Sequence, residues 1–228
     1  MSYRTGPKIV TDGLVCCLDA ADRNSYPGSG STWIDLSGNG NNGTFGASTA
    51  APAFSLDNGG CIVFAGDDEV IPNSSIRSSI LNARPYCVSV WVYKSSSATG
   101  GYCVYDCDNT RFNLNYNTYV SNKWSFDFYD GTEVILSDNQ NHDDQWVNFL
   151  LQHHQDGLME FYSNGSLADS QASVGNIVPN GNIMRIGRAI QNYQKFVGKI
   201  ANFIVYNDVL TLDQILQNYN ATKGRFGL

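Results

Sequence analysis

Residues 86–93 read YCVSVWVY and residues 123–131 read KWSFDFYDG. In the first, Val88, Val90 and Val92 alternate with Ser89, Trp91 and Tyr93. In the second, Trp124, Phe126 and Phe128 alternate with Lys123, Ser125, Asp127 and Tyr129. A period of two places each set on one face of a sheet. The second run ends in Asp130-Gly131, a dipeptide that tolerates the positive φ of a tight hairpin. These two runs set the fold class as all-β.

Working outward, strand-like runs recur at Leu14–Asp19, Cys61–Phe64, Tyr102–Asp106, Phe112–Tyr116, Thr132–Leu136, Gln145–Gln152, Leu158–Ser163, Ile183–Ile186 and Phe196–Tyr206. Asn164-Gly165 and Asn180-Gly181 mark further hairpins. In the Gln145–Gln152 run, Trp146, Phe149 and Leu151 are expected to supply core bulk. One helix is predicted: Leu212, Ile215, Leu216 and Tyr219 form an i, i+3, i+4, i+7 stripe. Thr211 and Gln214 make a capping box before it, and Gly224 is the expected stop. The Gly/Ser/Asn-rich stretch 26–49 is expected to be an ordered loop pinned by Trp33, Leu36 and Phe45. Residues 1–12 read as an N-terminal arm, with Arg4 and Lys8 suited to docking. Residues 13–228 read as a single domain, a two-sheet antiparallel sandwich with one short C-terminal helix.

Composition agrees. The 228 residues carry 18 Asp but only three Glu, namely Glu69, Glu133 and Glu160, with 22 Gly and only 15% charged residues. That favours turns over helices. The net charge of −7 gives no general attraction to nucleic acid or anionic membrane. No apolar run approaches the roughly 18 residues of a membrane span. No apolar segment of signal-peptide type follows the first residues, so the protein is expected to mature in a reducing cell with its cysteines free. Cys16, Cys61 and Cys87 lie inside apolar runs, where cysteine serves as a small hydrophobe.

Most catalytic chemistry is excluded by what the motifs lack. A sandwich glycosidase of the jelly-roll type carries E-x-D-x-E on one strand, and the three Glu here are dozens of residues apart. His142, His153 and His154 have no G-x-S-x-G elbow to serve. His153 and His154 are adjacent in a strand and must face opposite sides. SGNGNNG lacks the Lys and the helix of a phosphate loop. Tyr116, Tyr119, Tyr129 and Tyr193 lie near polar turns and are the candidate glycan-stacking platforms. The Asp67-Asp68-Glu69 loop offers hard oxygens, which makes calcium the one candidate cofactor.

Five segments carry a resemblance: GLVCCLDAADRNSYPGSGSTWIDLSGNGNNGTF (13–45), IVFAGDDEVIPNS (62–74), DDQWVNFLLQHHQDGLMEFYSNGSL (143–167), MRIGR (184–188) and FVGKIANFIVYNDVLTLDQILQNYNATKGRFGL (196–228). In this order they resemble laminin-G-like, concanavalin A-like domains of the kind found in phage structural proteins. The resemblance implies a curved jelly roll with a binding or structural role and no catalysis. The family often has an Asp, associated with a structural calcium, after G-K-I. Here Ala201 and then Asn202 follow, so the candidate metal ligands are Asp67, Asp68 and Asn202. Val147 stands where the family frequently has His. The expected function is a non-enzymatic virion component, a capsid decoration or appendage assembled in the host cytoplasm. Its expected partners are other virion proteins, host-surface glycans and further copies of itself. The alternatives are a carbohydrate-binding adhesin module and, less favoured by the missing Glu motif, a glycoside hydrolase.

Overall fold

A computed structural model describes residues 8–46, 51–76, 84–98, 102–107, 112–118, 120–129, 131–173, 184–189 and 194–228. Sixteen strands are found among them. They are β1 (Leu14–Asp19), β2 (Thr32–Trp33), β3 (Gly43–Phe45), β4 (Ala53–Ser55), β5 (Cys61–Ala65), β6 (Val70–Pro72), β7 (Tyr86–Tyr93) and β8 (Tyr102–Cys107). The chain continues with β9 (Phe112–Tyr116), β10 (Trp124–Tyr129), β11 (Glu133–Asp138), β12 (Trp146–His153), β13 (Leu158–Ser163), β14 (Ser166–Ala172), β15 (Met184–Ile186) and β16 (Val197–Tyr206). A helix, α1 (Leu212–Thr222), closes the chain. Every run read from the sequence is a strand. The additional ones, β2, β3, β4, β6 and β14, are short or polar and show no apolar alternation.

The strands form two antiparallel sheets. Sheet one has the order β14-β13-β12-β7-β16-β5-β4, with β1 also on β16; sheet two has the order β11-β10-β9-β8-β15-β6-β3-β2. Their facing sides interdigitate into one core. Val88, Val90, Val92, Phe149, Leu151, Phe161 and Phe203 of sheet one meet Phe112, Leu114, Trp124, Phe126, Phe128 and Ile186 of sheet two. Burial of this kind contributes about 25 cal/mol per Å² of apolar surface. At the sheet edges, Asp169 of β14 accepts a hydrogen bond from the Ser137 amide of β11 at 3.0 Å. That carboxylate occupies a group a free strand edge would otherwise present for pairing.

The other side of sheet one is also covered. Cys87, Leu150, Ile204 and Tyr206 lie under Ile215 of α1 and Val10 of the N-terminal segment. Asn218 accepts from the Val10 amide at 2.8 Å, and the Tyr206 hydroxyl donates to the Val10 carbonyl at 3.0 Å. The expected arm is thus anchored to the sandwich at its C-terminal end. Beside this cluster, Trp91 stacks between Tyr219 (5.7 Å, 13°) and Phe226 (4.2 Å, 27°). The Trp91 indole donates to the Thr222 hydroxyl at 2.8 Å. Trp146 joins this group, not the core. It has the opposite parity to Phe149 and Leu151, so the expectation of a common face is corrected by the period of two.

Four further expectations meet the structure. The Thr211–Gln214 capping box is formed. The predicted helix stripe narrows to Ile215 and Tyr219, because Leu212 is 57% and Leu216 37% exposed while Tyr219 stacks on Trp91. The chain does not stop at Gly224; a 3₁₀ turn runs over Lys223–Phe226 and Gly227 takes the left-handed terminal conformation (φ 76°). The Asn164-Gly165 hairpin is present with φ of 50° and 77°. A β-carbon on Gly165 would lie 3.2 Å from Leu216, so glycine serves both the turn and the approach of α1. Asn180-Gly181 lies outside the described residues.

The long loop is ordered differently from expectation. Trp33 and Phe45 are buried, but Leu36 is 38% exposed. The third anchor is polar: the buried Asp35 carboxylate accepts from the amides of Cys17 (2.8 Å), Ser37 (2.9 Å) and Asn41 (2.9 Å).

Candidate functional site

The two outer faces of the sandwich differ in chemistry. That of sheet one carries an apolar cluster under α1, and its polar side chains bond one another: Asn148 donates to Ser89 at 3.0 Å and Gln152 to Glu160 at 2.7 Å. On sheet two, the residues between the core-facing aromatics are Ser125 and Asp127 of β10, Asn113 and Asn115 of β9, Asp106 and Cys103 of β8, and Arg185 of β15. Strand register aligns them into two lanes. Asp127 is opposite Asn113, Asn113 opposite Asp106, and Asp106 opposite Arg185. Ser125 is opposite Asn115, and Asn115 opposite Cys103. Directly opposite residues stand about 5 Å apart, so the lanes form a continuous polar strip.

Most of the strip lies beneath the surface: Asp127, Asn115 and Ser125 are 0% exposed, Asn113 4% and Asp106 5%. The Asn115 amide donates to the Asn113 carbonyl oxygen and ties the lanes together. Arg185 extends the strip to Glu69 (3.3 Å), which also faces Arg188 at 3.8 Å. Asn115 Oδ1, Ser125 Oγ and Arg185 Nε find no hydrogen-bond partner among the described residues. A buried polar atom left unpaired costs about 1–3 kcal/mol. The strip's open end is the β10–β11 edge, where Tyr129 is 43% exposed opposite Glu133.

The predicted aromatic platforms do not form a group. Tyr129 alone lies on this face. Tyr116 points to the other side of β9, with Lys94 Nζ 4.2 Å from its ring centre and Trp124 against it at 5.3 Å. Its ring is thereby occupied from within the sandwich. Tyr119 and Tyr193 lie outside the described residues.

The three predicted metal ligands do not converge. Asp67 pairs with Lys195. Asp68 is buried and accepts from the Ala65 amide at 2.5 Å, closing the β5–β6 turn. Asn202 accepts from the Trp91 amide at 3.2 Å in the middle of sheet one. Asp68 lies beside Ala65, which pairs with Val197; Asn202 is five residues along β16, about 16 Å away. No cluster of three or more His, Cys, Asp or Glu is found among the described residues. The calcium set is corrected accordingly: all three oxygens serve local pairs.

The glutamates are also dispersed. Glu69 is held by the arginines, Glu133 is exposed on β11, and Glu160 on sheet one accepts from Gln152 and His154, each at 2.7 Å. Burial raises the Glu160 pKa, but those hydrogen bonds outweigh it and hold the carboxyl below its usual value. His142 is bonded to Asp138 at 2.7 Å and His153 to the Tyr86 hydroxyl at 3.1 Å. As expected from strand parity, His153 is buried toward the core and His154 is not.

Ser125 and Asp127 were legible as the polar half of an alternation. Asn113, Asn115, Asp106 and Arg185 were not linked to them, because only strand order brings β8, β9, β10 and β15 side by side. The one local signal was F-N-L-N-Y at 112–116, an apolar/Asn alternation.

Solved structures with the same fold include the binding domain of botulinum neurotoxin serotype D (TM-score 0.68, 17% identity, 92% of this chain and 52% of that one). The binding domain of Paraclostridial Mosquitocidal Protein 1 is similar too (0.67, 17%, 92% and 52%). So is the binding domain of botulinum neurotoxin DC in complex with SialylT (0.65, 18%, 93% and 52%). This chain spans about half the length of each. No curated protein sequence matches it. The family model for the concanavalin A-like lectin/glucanases superfamily (Laminin_G_3) matches residues 66–216, most of the sandwich, and the chain belongs to that family.

Proposed function

We propose that the protein is a non-catalytic binding module of lectin type that takes a carbohydrate or a glycan-bearing receptor on the outer face of sheet two. The observation that carries this reading is the asymmetry of the two outer faces. On one, an apolar cluster lies under α1 and the polar side chains are paired with each other; the other holds a strip of amides, hydroxyl, carboxylates and guanidinium that includes atoms without a partner among the described residues. Sugar hydroxyls both donate and accept, which suits side-by-side Asn, Ser and Asp. The neurotoxin DC binding domain, which shares the fold, is known in complex with SialylT and in complex with rat synaptotagmin II.

A glycosidase reading fits less well. The strip's two aspartates, Asp106 and Asp127, are separated by the Asn113 strand, about 10 Å between Cα atoms. Glu69, at the strip's far end, is held by Arg185 and Arg188, and Glu133 and Glu160 lie on other elements.

A glycan array followed by amide-shift mapping tests the proposal. A hit should move the amides of Asn113, Asn115, Ser125 and Asp127, and Asn115→Ala with Ser125→Ala should weaken it at least about tenfold. Silence on every glycan, or shifts confined elsewhere, refutes the assignment. Release of reducing sugar from the bound glycan refutes the non-catalytic part.

The setting proposed for this module is a virion surface, as a decoration or appendage in symmetric copies beside other virion proteins. Its support is the sequence resemblance. Mass spectrometry of purified particles tests it, and absence from them rejects it.

A further inference from the structure

A cavity of about 710 Å³ opens at the far edge of sheet one, between the turn after β1 and the strand β4. It is remote in topology from the polar strip. Its volume falls in the range of about 300–1,000 Å³ typical of small-ligand sites. Tyr26 and Phe54 supply aromatic wall, their rings 5.4 Å apart. The Tyr26 hydroxyl is committed to the Gly30 carbonyl at 2.9 Å, so that ring contributes packing and holds Phe54 in place. Phe54 is half-buried and reaches the cavity against Gly28. Gly28 has φ of 101°, and a β-carbon there would sit 3.4 Å from the Phe54 ring. The glycine keeps that ring's surroundings clear.

The charges around the cavity are unequal in their commitments. Asp57 is paired with Lys199 at 2.6 Å, and that partner holds its carboxyl below the usual range. Asp19, behind the wall, is paired with Arg225 at 2.9 Å. Asp22 accepts from the Asn24 amide at 2.8 Å. Arg23 is exposed, lines the cavity, and makes no hydrogen bond or ion pair among the described residues. Of the two charged residues that line the cavity, Asp57 is paired and Arg23 is not, which leaves one guanidinium beside an aromatic wall.

We propose that this cavity is a second binding site, for a carboxylated sugar unit. The pyranose C–H face would lie against Phe54, where the negative face of the ring meets polarised C–H groups. The carboxylate would take the planar donor fork of Arg23, the geometry to which guanidinium is matched. This site stands independently of the sheet-two assignment.

The test titrates the full chain with 3′-sialyllactose, with a glucuronate-terminated disaccharide, and with lactose, reading amide shifts and affinity. Either acidic sugar should move Gly28, Ser55 and Gly59 and bind at least about tenfold more tightly than lactose. Which acid binds distinguishes a sialic from a uronic source of the same chemistry. Arg23→Ala should remove that tenfold preference at unchanged melting temperature, since the side chain is exposed, and Arg23→Lys should restore part of it. Phe54→Leu should weaken all sugars. In Asn115→Ala the Gly28, Ser55 and Gly59 shifts should persist, which separates this site from the polar strip. The proposal is overturned if neither acidic sugar moves these amides, if lactose binds equally well, if Arg23→Ala leaves the affinity intact, or if Asn115→Ala abolishes the shifts.

Discussion

Ile215 is the one large apolar side chain of α1 that is almost fully buried, within a cluster of Val10, Cys17, Cys87, Leu150, Ile204, Tyr206 and Leu210. Truncation to Ala removes the transfer energy of the lost carbons and leaves a cavity, together about 2–5 kcal/mol, and about 3 is reasonable here. For 228 residues, an unfolding entropy near 2.1 cal/mol/K per residue converts each kcal/mol into about 2 °C. Ile215→Ala should therefore lower Tm by about 6 °C. Ile215→Asp adds a carboxyl with no partner, which takes up a proton at pH 7 rather than remain charged. Raising a carboxyl pKa by about three units costs about 4 kcal/mol. The sum, about 7 kcal/mol, rivals the whole stability of a typical domain, about 5–15 kcal/mol. Calorimetry on the parent, both variants and Leu212→Ala gives the answer. Leu212 is 57% exposed, so that control should stay within about 2 °C. An Ile215→Ala Tm within about 1 °C of the parent, or an Ile215→Asp protein melting unchanged, would refute the packing of α1 described above.

Asp35→Ala should cost about 3 kcal/mol or more, because it orphans the amides of Cys17 and Asn41 together; a Tm drop of under about 2 °C would contradict that. All six cysteines are free and buried. Burial, then the charges of Asp19, Asp35 and Asp22, pushes the Cys17 thiol up to about 12, and burial raises Cys87 further. Native protein at pH 8 should thus react with a thiol reagent only at the rate of its opening, and rapid labelling of any cysteine before denaturation would count against the structure. Asp138 is raised by burial but lowered further by hydrogen bonds from His142, the Gln140 amide and Ser163, and ends below its usual value, as does Glu160. Depressed folded pKa values mean the unfolded chain binds more protons in acid. The stabilisation is complete above the unfolded carboxylate pKa of about 4 and is lost as pH falls through the folded values. Urea midpoints should fall below pH 4, less steeply in Asp138→Asn; a pH-independent midpoint between 5 and 2 would refute this.

Sequence alone determined the β class, the positions of the long strands, the capped terminal helix and the absence of a strand-borne glutamate motif. These rest on local rules: a period of two, a capping box, a turn dipeptide and a count of residues. Even the parity that sends Trp146 to the opposite face from Phe149 was present in the numbering. Other features required the tertiary structure. Asp35 anchors its loop only because β1 runs beside it. Asp67, Asp68 and Asn202 look like a ligand set in the sequence but fall on different elements, each with its own partner. The polar strip joins residues from 103 to 185 because strand order, set by long-range pairing and core packing, lays β10, β9, β8 and β15 next to each other. No local pattern encodes which strands become neighbours, so the fold class was readable from the chain while the sites were decided by how its strands were assembled.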